Sequence, residues 1–369
     1  MPQISVIVPI FNVEKYIRQC MESLISQTMQ DIEIICMDDC GTDKSIDIVR
    51  EFAKRDERIK IFRNPHNMDI ADTRTNGIIH SNAPYIMWCD PDDWYCNDMC
   101  EKMYHAITYN DSDVAICGTN VIYETDRNKQ AADRVYFDIE QDKTCTLTDD
   151  IRAKTNVVVW NKIFRRDIIN QFDITFPSKL RYEDEYFWHT YTTHARTITF
   201  VTDKLYNYRR NSGSIMNKTF TKRADYGIDS LRIAIEYFKY LNKHGLYNSL
   251  YEYYWTHSFA ACATAAIQRA NSRASLHAII NLASDFANKN YVRPVSDFFT
   301  DHQIKLFQTK QISLGHNTSL YPVWYNKRTA YRSEWFLCKI CLFKIKINPE
   351  FRQYYIFGIP IKRIKNEQI

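Results

Sequence analysis

Short apolar segments alternate with helical patterns over the first quarter of the chain, and this alternation limits the folds it can adopt. Apolar runs of four to eight residues indicate buried strands, and apolar residues at helical spacing indicate helices. The predicted strands cover residues 4–10, 32–37, 59–63 and 85–89, and the predicted helices cover 13–26, 44–53 and 72–80. This order predicts an α/β protein with a mostly parallel sheet, helices on both faces and right-handed crossovers. The loops after the strands then meet at one edge, where open α/β sheets bind ligands.

The fourth predicted strand ends in three carboxylates. Residues 85–89 are apolar, and Asp90, Asp92 and Asp93 follow them. Two carboxylates in an Asp-x-Asp arrangement can reach one divalent cation, and Mg²⁺ or Mn²⁺ completes its coordination with water and phosphate oxygens. Acidic residues are also common in solvated turns. The segment therefore indicates either a metal site for a diphosphate or an ordinary turn.

Two further loops at the predicted edge carry groups suited to a nucleotide. Pro9, Phe11 and Asn12 follow the first strand, and Asp38 and Asp39 follow the second. Phe11 offers an aromatic face, and the carboxylates can accept hydrogen bonds from a base or a ribose. Taken alone, the acidic pair could instead belong to a turn that precedes a capped helix.

The composition is that of a globular protein without a strong charge bias. Of 369 residues, 45% are hydrophobic, enough for a large core and two folding units. The net charge of +4 does not indicate nucleic-acid binding. The eleven cysteines are scattered, no signal peptide precedes the first strand, and no run reaches the roughly 18 apolar residues of a membrane span. We therefore expect a cytoplasmic protein.

An ordered set of motifs over about residues 3–217 resembles the family 2 glycosyltransferases, which have the GT-A fold. The motifs are 5–12 with Glu14, 33–45, Arg74 with Asn76-Gly77, Asp90–Asp93, 159–164, 182–185 and 206–215. The resemblance implies a Rossmann-like catalytic domain at 1–217. It also implies inverting, metal-dependent transfer of a sugar, from a UDP-linked hexose or N-acetylhexosamine, to a hydroxyl of a bacterial surface glycan or its lipid-linked precursor.

The resemblance also implies roles for individual residues. The nucleotide would contact Pro9, Phe11, Asn12, Glu14, Asp38, Asp39, Arg74, Asp90 and Arg209. A Mn²⁺ or Mg²⁺ ion would be held by Asp90, Asp92 and Asp93. Asp184 would be the catalytic base that takes the proton of the attacking hydroxyl. The acceptor would contact Trp160, Asn161, Lys162 and Glu183.

Three of these assignments have alternatives. Arg74 could pair locally with Asp69 and Asp72 and so fail to reach the donor. Trp160 could be a core residue with solvated neighbours. The acidic run 183–185 could be a helix start that the helix dipole favours.

Beyond the catalytic domain the patterns change. Helical periodicity at 225–244, 249–270 and 275–288 predicts a helical appendage over 218–300, which could cover the acceptor or form a dimer interface. Basic and aromatic side chains are interleaved in residues 301–369. From Tyr331 onward the sequence contains eight basic residues and three acidic ones. Each basic residue contributes roughly 1 kcal/mol near an anionic membrane surface. We therefore hypothesise peripheral attachment to the inner face of the bacterial inner membrane, the alternative being a packed cap with a solvated basic face.

Two other functions remain open from the sequence. A nucleotidyltransferase of sugar phosphates normally has a Gly-rich phosphate loop after its first strand, whereas residues 9–12 contain no glycine. A non-catalytic sugar-binding protein could keep the same fold without needing the metal ligands or the base.

Overall fold

A computed structural model describes most of the chain. The described parts are residues 1–123, 141–210, 226–250, 253–270 and 273–290, together with five strand backbones between 326 and 365. The chain divides into two compact units, Met1–Lys218 with Glu236–Ser249 and Thr219–Ile235 with Leu250–Ile369. The predicted features at 211–215 and at 301–325 lie outside the described residues. No described helix is long and apolar enough to cross a membrane.

The first unit is built on a nine-stranded mixed sheet. Its strands are β1 (Ile4–Ile10), β2 (Ile32–Asp38), β3 (Ile59–Arg63), β4 (Tyr85–Trp88), β5 (Trp94–Tyr95), β6 (Val114–Tyr123), β7 (Lys143–Thr146), β8 (Lys162–Arg165) and β9 (Thr197–Arg210). Their order is β3-β2-β1-β4-β8-β6-β9-β5, and β7 pairs with β9. The first four strands are parallel, as predicted, whereas β8 is antiparallel to both β4 and β6.

Helices cover both faces of this sheet, which confirms the predicted class of fold. They are α1 (Ile17–Ile25), α2 (Ser45–Ala53), α3 (Asp69–His80), α4 (Met99–Tyr109), α5 (Asp149–Lys154), α6 (Arg166–Gln171) and α7 (Glu183–His194). Because side chains alternate along a strand, β1 supplies both cores. Val6 and Val8 pack with α1, α2 and α4, and Ile7 packs with α3, α6 and α7.

Two local features determine where the helices lie. Helix α1 begins at Ile17 and not at the predicted residue 13, and the backbone N–H groups of Val13 and Glu14 donate to the side chains of Ser45, at the start of α2, and Asp43, in the loop before it. Helix α3 lies so close to β1 that a Cβ atom on Gly77 would be 2.3 Å from Cγ2 of Ile7. Glycine therefore sets how closely α3, and Arg74 with it, approaches the sheet.

Most of the predicted appendage is helical. Helix α8 (Tyr226–Lys243) is followed by a π-helical stretch (Tyr254–Phe259) that continues into α9 (Ala260–Arg269), and by α10 (Arg273–Asn290). Residues 236–249, predicted as part of the appendage, belong to the first compact unit. There Tyr237 stacks on His189 of α7. The Tyr240 hydroxyl and Nε2 of His194 share a hydrogen bond at 2.8 Å.

The basic C-terminal segment contains strands that the sequence analysis did not predict. These are β10 (Asn326–Thr329), β11 (Arg332–Leu337), β12 (Ile340–Ile347), β13 (Phe351–Ile356) and β14 (Ile359–Lys365). They form an antiparallel sheet in chain order. The alternation of basic and apolar residues, interpreted above only as a surface signal, is also the period-two pattern of a strand.

Candidate active site

The carboxyl ends of β1, β2 and β4 lie side by side, so the three predicted loops meet at one edge. Asp38 ends β2 in register with Ile10 at the end of β1. The next N–H group, that of Asp39, donates to the carbonyl oxygen of Ile10 at 3.0 Å. On the other side of β1, the N–H of Cys89 donates to the carbonyl oxygen of Ile7 at 3.0 Å. Asp90 therefore leaves the sheet beside the end of β1.

The loop after β1 is fastened to the loop after β2. Asn12 has a left-handed backbone (φ 51), and its Oδ1 accepts a hydrogen bond from the Thr42 N–H at 2.7 Å. Glu14 accepts one from the Lys44 N–H at 2.8 Å. In the opposite direction, the Val13 N–H donates to Oγ of Ser45 at 2.8 Å. Asn12 and Glu14, assigned above to the nucleotide, thus hold the two loops together.

Phe11 and Pro9 occupy different positions in the same loop region. Pro9 is buried within β1, whereas the Phe11 side chain is 45% exposed. The Phe11 ring is therefore accessible at the edge of the candidate site, whereas Pro9 is part of the buried strand beneath that edge.

Asp38 and Asp39 are both buried and hold turns in place. Oδ1 of Asp39 accepts hydrogen bonds from Nδ2 of Asn64 and from the Met68 N–H, each at 2.8 Å. Oδ1 of Asp38 accepts one from the Cys40 N–H at 3.0 Å. These contacts agree with the alternative that the acidic pair belongs to a turn. Asp39 also holds the loop that follows β3.

Arg74 is buried among three carboxylates. Its Nη2 lies 2.8 Å from Oδ1 of Asp90, and its Nη1 lies 2.8 Å from Oε1 of Glu183. Nη1 also binds Oδ1 of Asp184. One guanidinium on α3 thus joins the end of β4 to the first turn of α7.

The alternative local partners of Arg74 are engaged elsewhere. Oδ2 of Asp72 accepts a hydrogen bond from Oγ of Ser178 at 2.8 Å, and Oδ1 of Asp69 accepts one from the Ile70 N–H at 2.9 Å. The alternative that Arg74 pairs with its helical neighbours is therefore not what the structure shows, because the guanidinium binds Asp90 and the first turn of α7. The predicted nucleotide contact of Arg74 stays a prediction.

Burial is the main influence on the pKa values of Glu183 and Asp184, the acidic pair at the start of α7. Desolvation raises the pKa of Glu183 and that of Asp184, and Arg74 opposes both increases. The preceding residue, Tyr182, has φ 65, an uncommon backbone conformation for a large side chain. A carboxylate with a raised pKa accepts a proton more readily near neutral pH, which suits a general base.

The three acids after β4 have different surroundings. Asp93 is 2% exposed, and its oxygens accept hydrogen bonds from the Tyr206 hydroxyl at 2.8 Å and the Arg209 N–H at 2.7 Å. Burial raises the pKa of Asp93 well above its usual value. Asp90 and Asp92 are partly exposed. The placement of Asp93 argues against the predicted role as a metal ligand, because both of its oxygens face donors within the protein.

The remaining two carboxylates fit the needs of a hard divalent cation. Within the described ranges, no cluster of three or more His, Cys, Asp or Glu side chains could hold a metal. Mg²⁺ and Mn²⁺ need only one or two protein carboxylates when water and substrate phosphate supply the other oxygens. Asp90, whose Oδ1 already binds Arg74, and the partly exposed Asp92 are carboxylates of this kind, and their role as metal ligands stays a prediction.

Arg209 lies against the same turn. Its Nε donates to the carbonyl oxygen of Asp92 at 2.8 Å, and its guanidinium carbon is 4.6 Å from the ring centre of Trp94 and 5.0 Å from that of Tyr16. These contacts place a positive charge next to the Asp92 turn, where the sequence analysis expected a cation for the nucleotide diphosphate.

Trp160, Asn161 and Lys162 are buried, with relative exposures of 4%, 0% and 0%. Trp160 stacks on Tyr206 with ring centroids 4.3 Å apart and on Tyr208 at 5.4 Å. This burial argues against the predicted contact with an acceptor. Trp160 is a core residue, as the alternative interpretation of the sequence proposed. That interpretation also expected Asn161 and Lys162 to be solvated, whereas both are buried.

Asn161 and Lys162 bind main-chain oxygens of the protein. Nδ2 of Asn161 donates to the carbonyl oxygen of Cys117 at 2.8 Å. Nζ of Lys162 lies 4.9 Å from the ring centre of Trp188, and desolvation lowers the pKa of Lys162 to about 7. The basic side chain assigned to an acceptor is therefore an internal one.

Two residues of the site escaped the sequence analysis. Asn64 binds Asp39 and also donates to Oγ1 of Thr73 at 2.9 Å. Its position directly after β3 was a signal, since loops after parallel strands share one edge. Tyr206 lies in the motif 206–215, but the motif does not indicate which of its tyrosines binds Asp93.

The fold and the acidic edge define an α/β protein of the GT-A class. Residues 5–172 match the family described as Glycosyl transferase family 2. Over 230 residues the chain is 32% identical to the putative glycosyltransferase EpsH of Bacillus subtilis, covering 62% of this chain and 66% of that protein. Over 230 residues it is 31% identical to the glycosyltransferase GlyG of Streptococcus pneumoniae, covering 59% of this chain and 74% of that protein. The matches thus span about two thirds of each relative.

Solved structures agree on the fold. TarS 1–349 of S. aureus in complex with UDP-GlcNAc has a TM-score of 0.56 at 20% identity, covering 79% of this chain and 93% of that one. A longer TarS structure has a TM-score of 0.58 at 18% identity, covering 96% and 64%. The chain belongs to glycosyl transferase family 2 and is a glycosyltransferase.

Proposed function

We propose that the protein transfers a sugar from a UDP-linked donor to a hydroxyl group of a bacterial surface glycan or of its lipid-linked precursor. The Arg74 cluster carries this proposal, because one buried cation joins a candidate base, Asp184, to a candidate diphosphate-side acid, Asp90. The two halves of a displacement reaction require groups on opposite sides of one sugar ring. We assign Asp184 to one of these sides and Asp90 to the other, and their shared contact with Arg74 supports this assignment.

The donor class and the range of acceptors have support among similar proteins. The TarS structure of similar fold contains UDP-GlcNAc, and we extend the UDP-sugar class to this chain. One relative, 28% identical over 210 residues, is named a poly(ribitol-phosphate) beta-glucosyltransferase, and another, 26% identical over 223 residues, a cholesterol galactosyltransferase. Because acceptors differ so widely among relatives, we propose an acceptor class, a hydroxyl of a surface glycan or of its lipid-linked precursor, and no particular acceptor.

Asp184 acts as the base in the proposed reaction. The acceptor oxygen forms a bond with the anomeric carbon while its proton passes to the Asp184 carboxylate. The bond between the anomeric carbon and the phosphate oxygen breaks, and UDP leaves with its electron pair. A single displacement of this kind inverts the anomeric centre without a covalent intermediate. The raised pKa of Asp184 favours proton acceptance near neutral pH.

The leaving group lies on the other side of the donor sugar. Asp90 and Asp92 would hold Mn²⁺ or Mg²⁺, which when bound neutralises part of the diphosphate charge. Arg209, next to the Asp92 carbonyl oxygen, supplies a further positive charge in the same place. The exposed ring of Phe11 and the turn at Asp38 and Asp39 would receive the uridine.

The test is UDP release from a panel of UDP-sugars with Mn²⁺, with and without lipid-linked glycan. Asp184→Asn should reduce transfer by about 10²- to 10⁴-fold, the usual contribution of a general base, while the Kd for UDP is unchanged. Asp31→Asn is the matched control, since Asp31 is an exposed acid directly before β2. Unchanged turnover in Asp184→Asn would exclude Asp184 as the base.

The same assay separates the two alternative functions. A nucleotidyltransferase would release pyrophosphate from UTP and a sugar phosphate, and would not release UDP. A sugar-binding protein without catalysis would bind UDP-sugars and release nothing. Either result would overturn the proposed function.

We further propose that the C-terminal strands attach the protein to an anionic membrane surface, where a lipid-linked acceptor is found. The backbone register pairs Arg332 of β11 with Lys346 of β12, which brings two basic positions of separate strands together. The full chain should co-sediment with phosphatidylglycerol vesicles and not with phosphatidylcholine vesicles. If a chain truncated at Tyr331 sediments equally well, the attachment proposal fails.

A further inference from the structure

Asn64, the first residue after β3, has hydrogen-bond partners at every polar group of its side chain. Its Nδ2 donates to Oδ1 of Asp39 at 2.8 Å and to Oγ1 of Thr73 at 2.9 Å. Its Oδ1 accepts from Nδ2 of Asn76 at 2.9 Å. A primary amide has two N–H donors and one carbonyl oxygen, so each of these groups is used. Asn64 is 3% exposed and fastens the turn after β2 to helix α3.

The main chain of Asn64 is bound to the same turn. Its N–H donates to the carbonyl oxygen of Asp38 at 2.9 Å, and its own carbonyl oxygen accepts from Sγ of Cys40 at 3.1 Å. The turn also lies close to the loop after β1, because a Cβ atom on Gly41 would be 3.0 Å from the backbone nitrogen of Asn12. The turn after β2 is thus held both by Asn64 and by the loop after β1.

The two acids of this turn differ in what they leave available to a ligand. Asp38 has protein partners at both oxygens, since Oδ1 accepts a backbone N–H at 3.0 Å and Oδ2 lies 3.5 Å from Nε of Arg63. In Asp39, Oδ1 accepts from Asn64 and from the Met68 N–H, each at 2.8 Å. Among the described residues, no donor binds Oδ2 of Asp39. Asp39 is therefore the acid of the pair with an oxygen available.

Two donors on one oxygen restrict the orientation of the Asp39 carboxylate. Because both of them bind Oδ1, the direction of Oδ2 is set by the protein. Uridine has an N–H donor at N3 of uracil and O–H donors on its ribose, and an ionised carboxylate only accepts hydrogen bonds. An oxygen that is already oriented binds such a donor with a smaller loss of side-chain freedom than a mobile one.

We propose that Asn64 is a positioning residue for the nucleoside: it holds Oδ1 of Asp39 and so directs Oδ2 toward an N–H or O–H donor of the bound uridine. This inference rests on the proposed UDP-sugar donor and on the placement of uridine at this turn. It separates the two acids, since Asp39 contacts the ligand and Asp38 maintains the turn. Asn64 acts through Asp39.

The first test is a double-mutant cycle on UDP binding, measured by titration calorimetry with Mn²⁺ present. Asn64→Ala should raise the Kd for UDP by about tenfold, as expected when a hydrogen bond to a charged group is weakened. Asp39→Asn should raise it at least as much, because its amide keeps an acceptor at Oδ1 and loses the one at Oδ2. In Asp39→Asn protein, the further change Asn64→Ala should alter the Kd less than about twofold. Additive effects, or an unchanged Kd in Asn64→Ala, would overturn the proposal.

Gln27→Ala is the matched control for loss of a buried amide. Gln27 also makes three hydrogen bonds, with main-chain groups of Ser23, Cys96 and Cys100. Its removal should lower stability, as that of Asn64 does, but should change the Kd for UDP less than about twofold. An equal loss of UDP affinity in both variants would mean that general destabilisation explains the effect, and would overturn the proposal.

The second test identifies the donor group that the oriented oxygen accepts. CDP lacks the N3–H of uracil, and 2′-deoxy-UDP and 3′-deoxy-UDP each lack one ribose hydroxyl. The wild-type protein should prefer UDP over at least one of these analogues, and Asn64→Ala should reduce that preference by about tenfold. A reduced preference over CDP assigns N3–H, and one over a deoxy analogue assigns that hydroxyl. Unchanged preferences over all three would overturn the proposal, because a merely structural residue would weaken every ligand alike.

Steady-state kinetics separate nucleoside binding from the chemical step. Asn64→Ala should raise the KM for the UDP-sugar by about tenfold and change kcat less than about threefold, since Asp184 and Asp90 keep their contacts with Arg74. A lower kcat at an unchanged KM would contradict the proposal.

A second variant covers failure of Asn64→Ala to fold. Asn64→Asp keeps the shape of the side chain but places an oxygen where Nδ2 now donates to Asp39. It should lose UDP affinity at least as strongly, and normal affinity would overturn the proposal. If the wild-type protein does not bind UDP, the proposed function fails and this inference fails with it. If the wild-type protein binds UDP and Asp39→Asn binds it equally well, only this inference fails.

Discussion

Arg74 of α3 and Asp184 of α7 form an ion pair although 110 positions separate them in the sequence. The Arg74 side chain is 4% exposed and that of Asp184 is 18% exposed. The pair therefore lies at the border between the core and the open edge of the sheet. Its cation also contacts Asp90 and Glu183, so removal of Arg74 would leave three acids without their common partner.

Arg74→Met should destabilise the protein strongly. Loss of one partner from a buried ion pair costs about 3–5 kcal/mol, because the remaining charges stay buried without compensation. The measurement is the free energy of unfolding from urea denaturation. Arg18→Met is the control, since the exposed pair of Arg18 with Glu51 should contribute about 1 kcal/mol or less. Similar values for the two variants would mean that the carboxylates around Arg74 are compensated by other groups.

Asp92→Asn and Asp93→Asn should have opposite consequences. Asp92→Asn should weaken Mn²⁺ binding in the presence of UDP by at least about tenfold, with little change in stability, because it removes a carboxylate from the proposed metal pair. Asp93→Asn should leave Mn²⁺ affinity nearly unchanged but cost about 1–3 kcal/mol, because its amide cannot accept both hydrogen bonds that the carboxylate accepts. Titration of free Mn²⁺ by electron paramagnetic resonance, combined with urea denaturation, distinguishes them. Loss of Mn²⁺ affinity in Asp93→Asn would restore the original metal assignment.

Trp160→Ala should behave as a core mutation. Removal of a buried tryptophan that stacks on Tyr206 and Tyr208 should cost about 3–5 kcal/mol of stability. Tyr109→Ala is the control, because Tyr109 is 79% exposed and its loss should change stability by about 0.5 kcal/mol at most. Full stability together with a raised KM for the acceptor would instead support the acceptor contact expected from the sequence.

His194 should make the protein less stable as the pH falls below 6.5. Its ring stacks on Phe172 with centroids 3.6 Å apart, and desolvation, with a smaller effect of His244, lowers the pKa of His194 to about 4. Between pH 6.5 and pH 4 the unfolded chain binds a proton at this position that the folded protein does not, so the free energy of unfolding falls in that window.

The measurement for His194 is a difference between proteins. Unfolding curves of the wild type and of His194→Gln, taken between pH 4 and pH 7, should show a shallower acid loss in the variant. Comparison with the wild type is needed because the raised pKa values of Glu183 and Asp184 act in the opposite direction, favouring the folded state as these groups become protonated. Parallel curves would show that His194 titrates normally in the folded protein.

Local periodicity predicted the first half of the sheet well. β1 and β3 have the predicted bounds, and β2 is longer than predicted by one residue, Asp38. The bounds agree because apolar runs between turn residues identify buried strands. The convergence of Asp38 and Asp90 at one edge followed from the parallel topology. The antiparallel β8 and the C-terminal strands were not predicted, since the partner of a strand depends on distant segments.

Side-chain partners were much harder to predict than elements. Arg74 was expected to meet either the nucleotide or the acids beside it, whereas its partners lie in α7 and after β4. Lys162 was expected to contact the acceptor or solvent, whereas its buried side chain binds the carbonyl oxygens of Asn156 and Val158, six and four residues earlier in the chain. The Arg74 contacts, in contrast, arise from chain segments that no local pattern connects.

The bonds of Asn12 with Thr42 and of Glu14 with Lys44 have a consequence for the entropy of donor binding. Because these hydrogen bonds join the two loops through groups of the protein itself, we expect their conformational freedom to be lost during folding and not when a nucleotide arrives. Ordering a flexible side chain on association costs about 0.5–1.5 kcal/mol, and a rigid loop pair avoids much of that cost. We therefore expect the proposed nucleotide edge to be a preorganised surface, where ligand affinity depends on the contacts made and little on ordering of the loops.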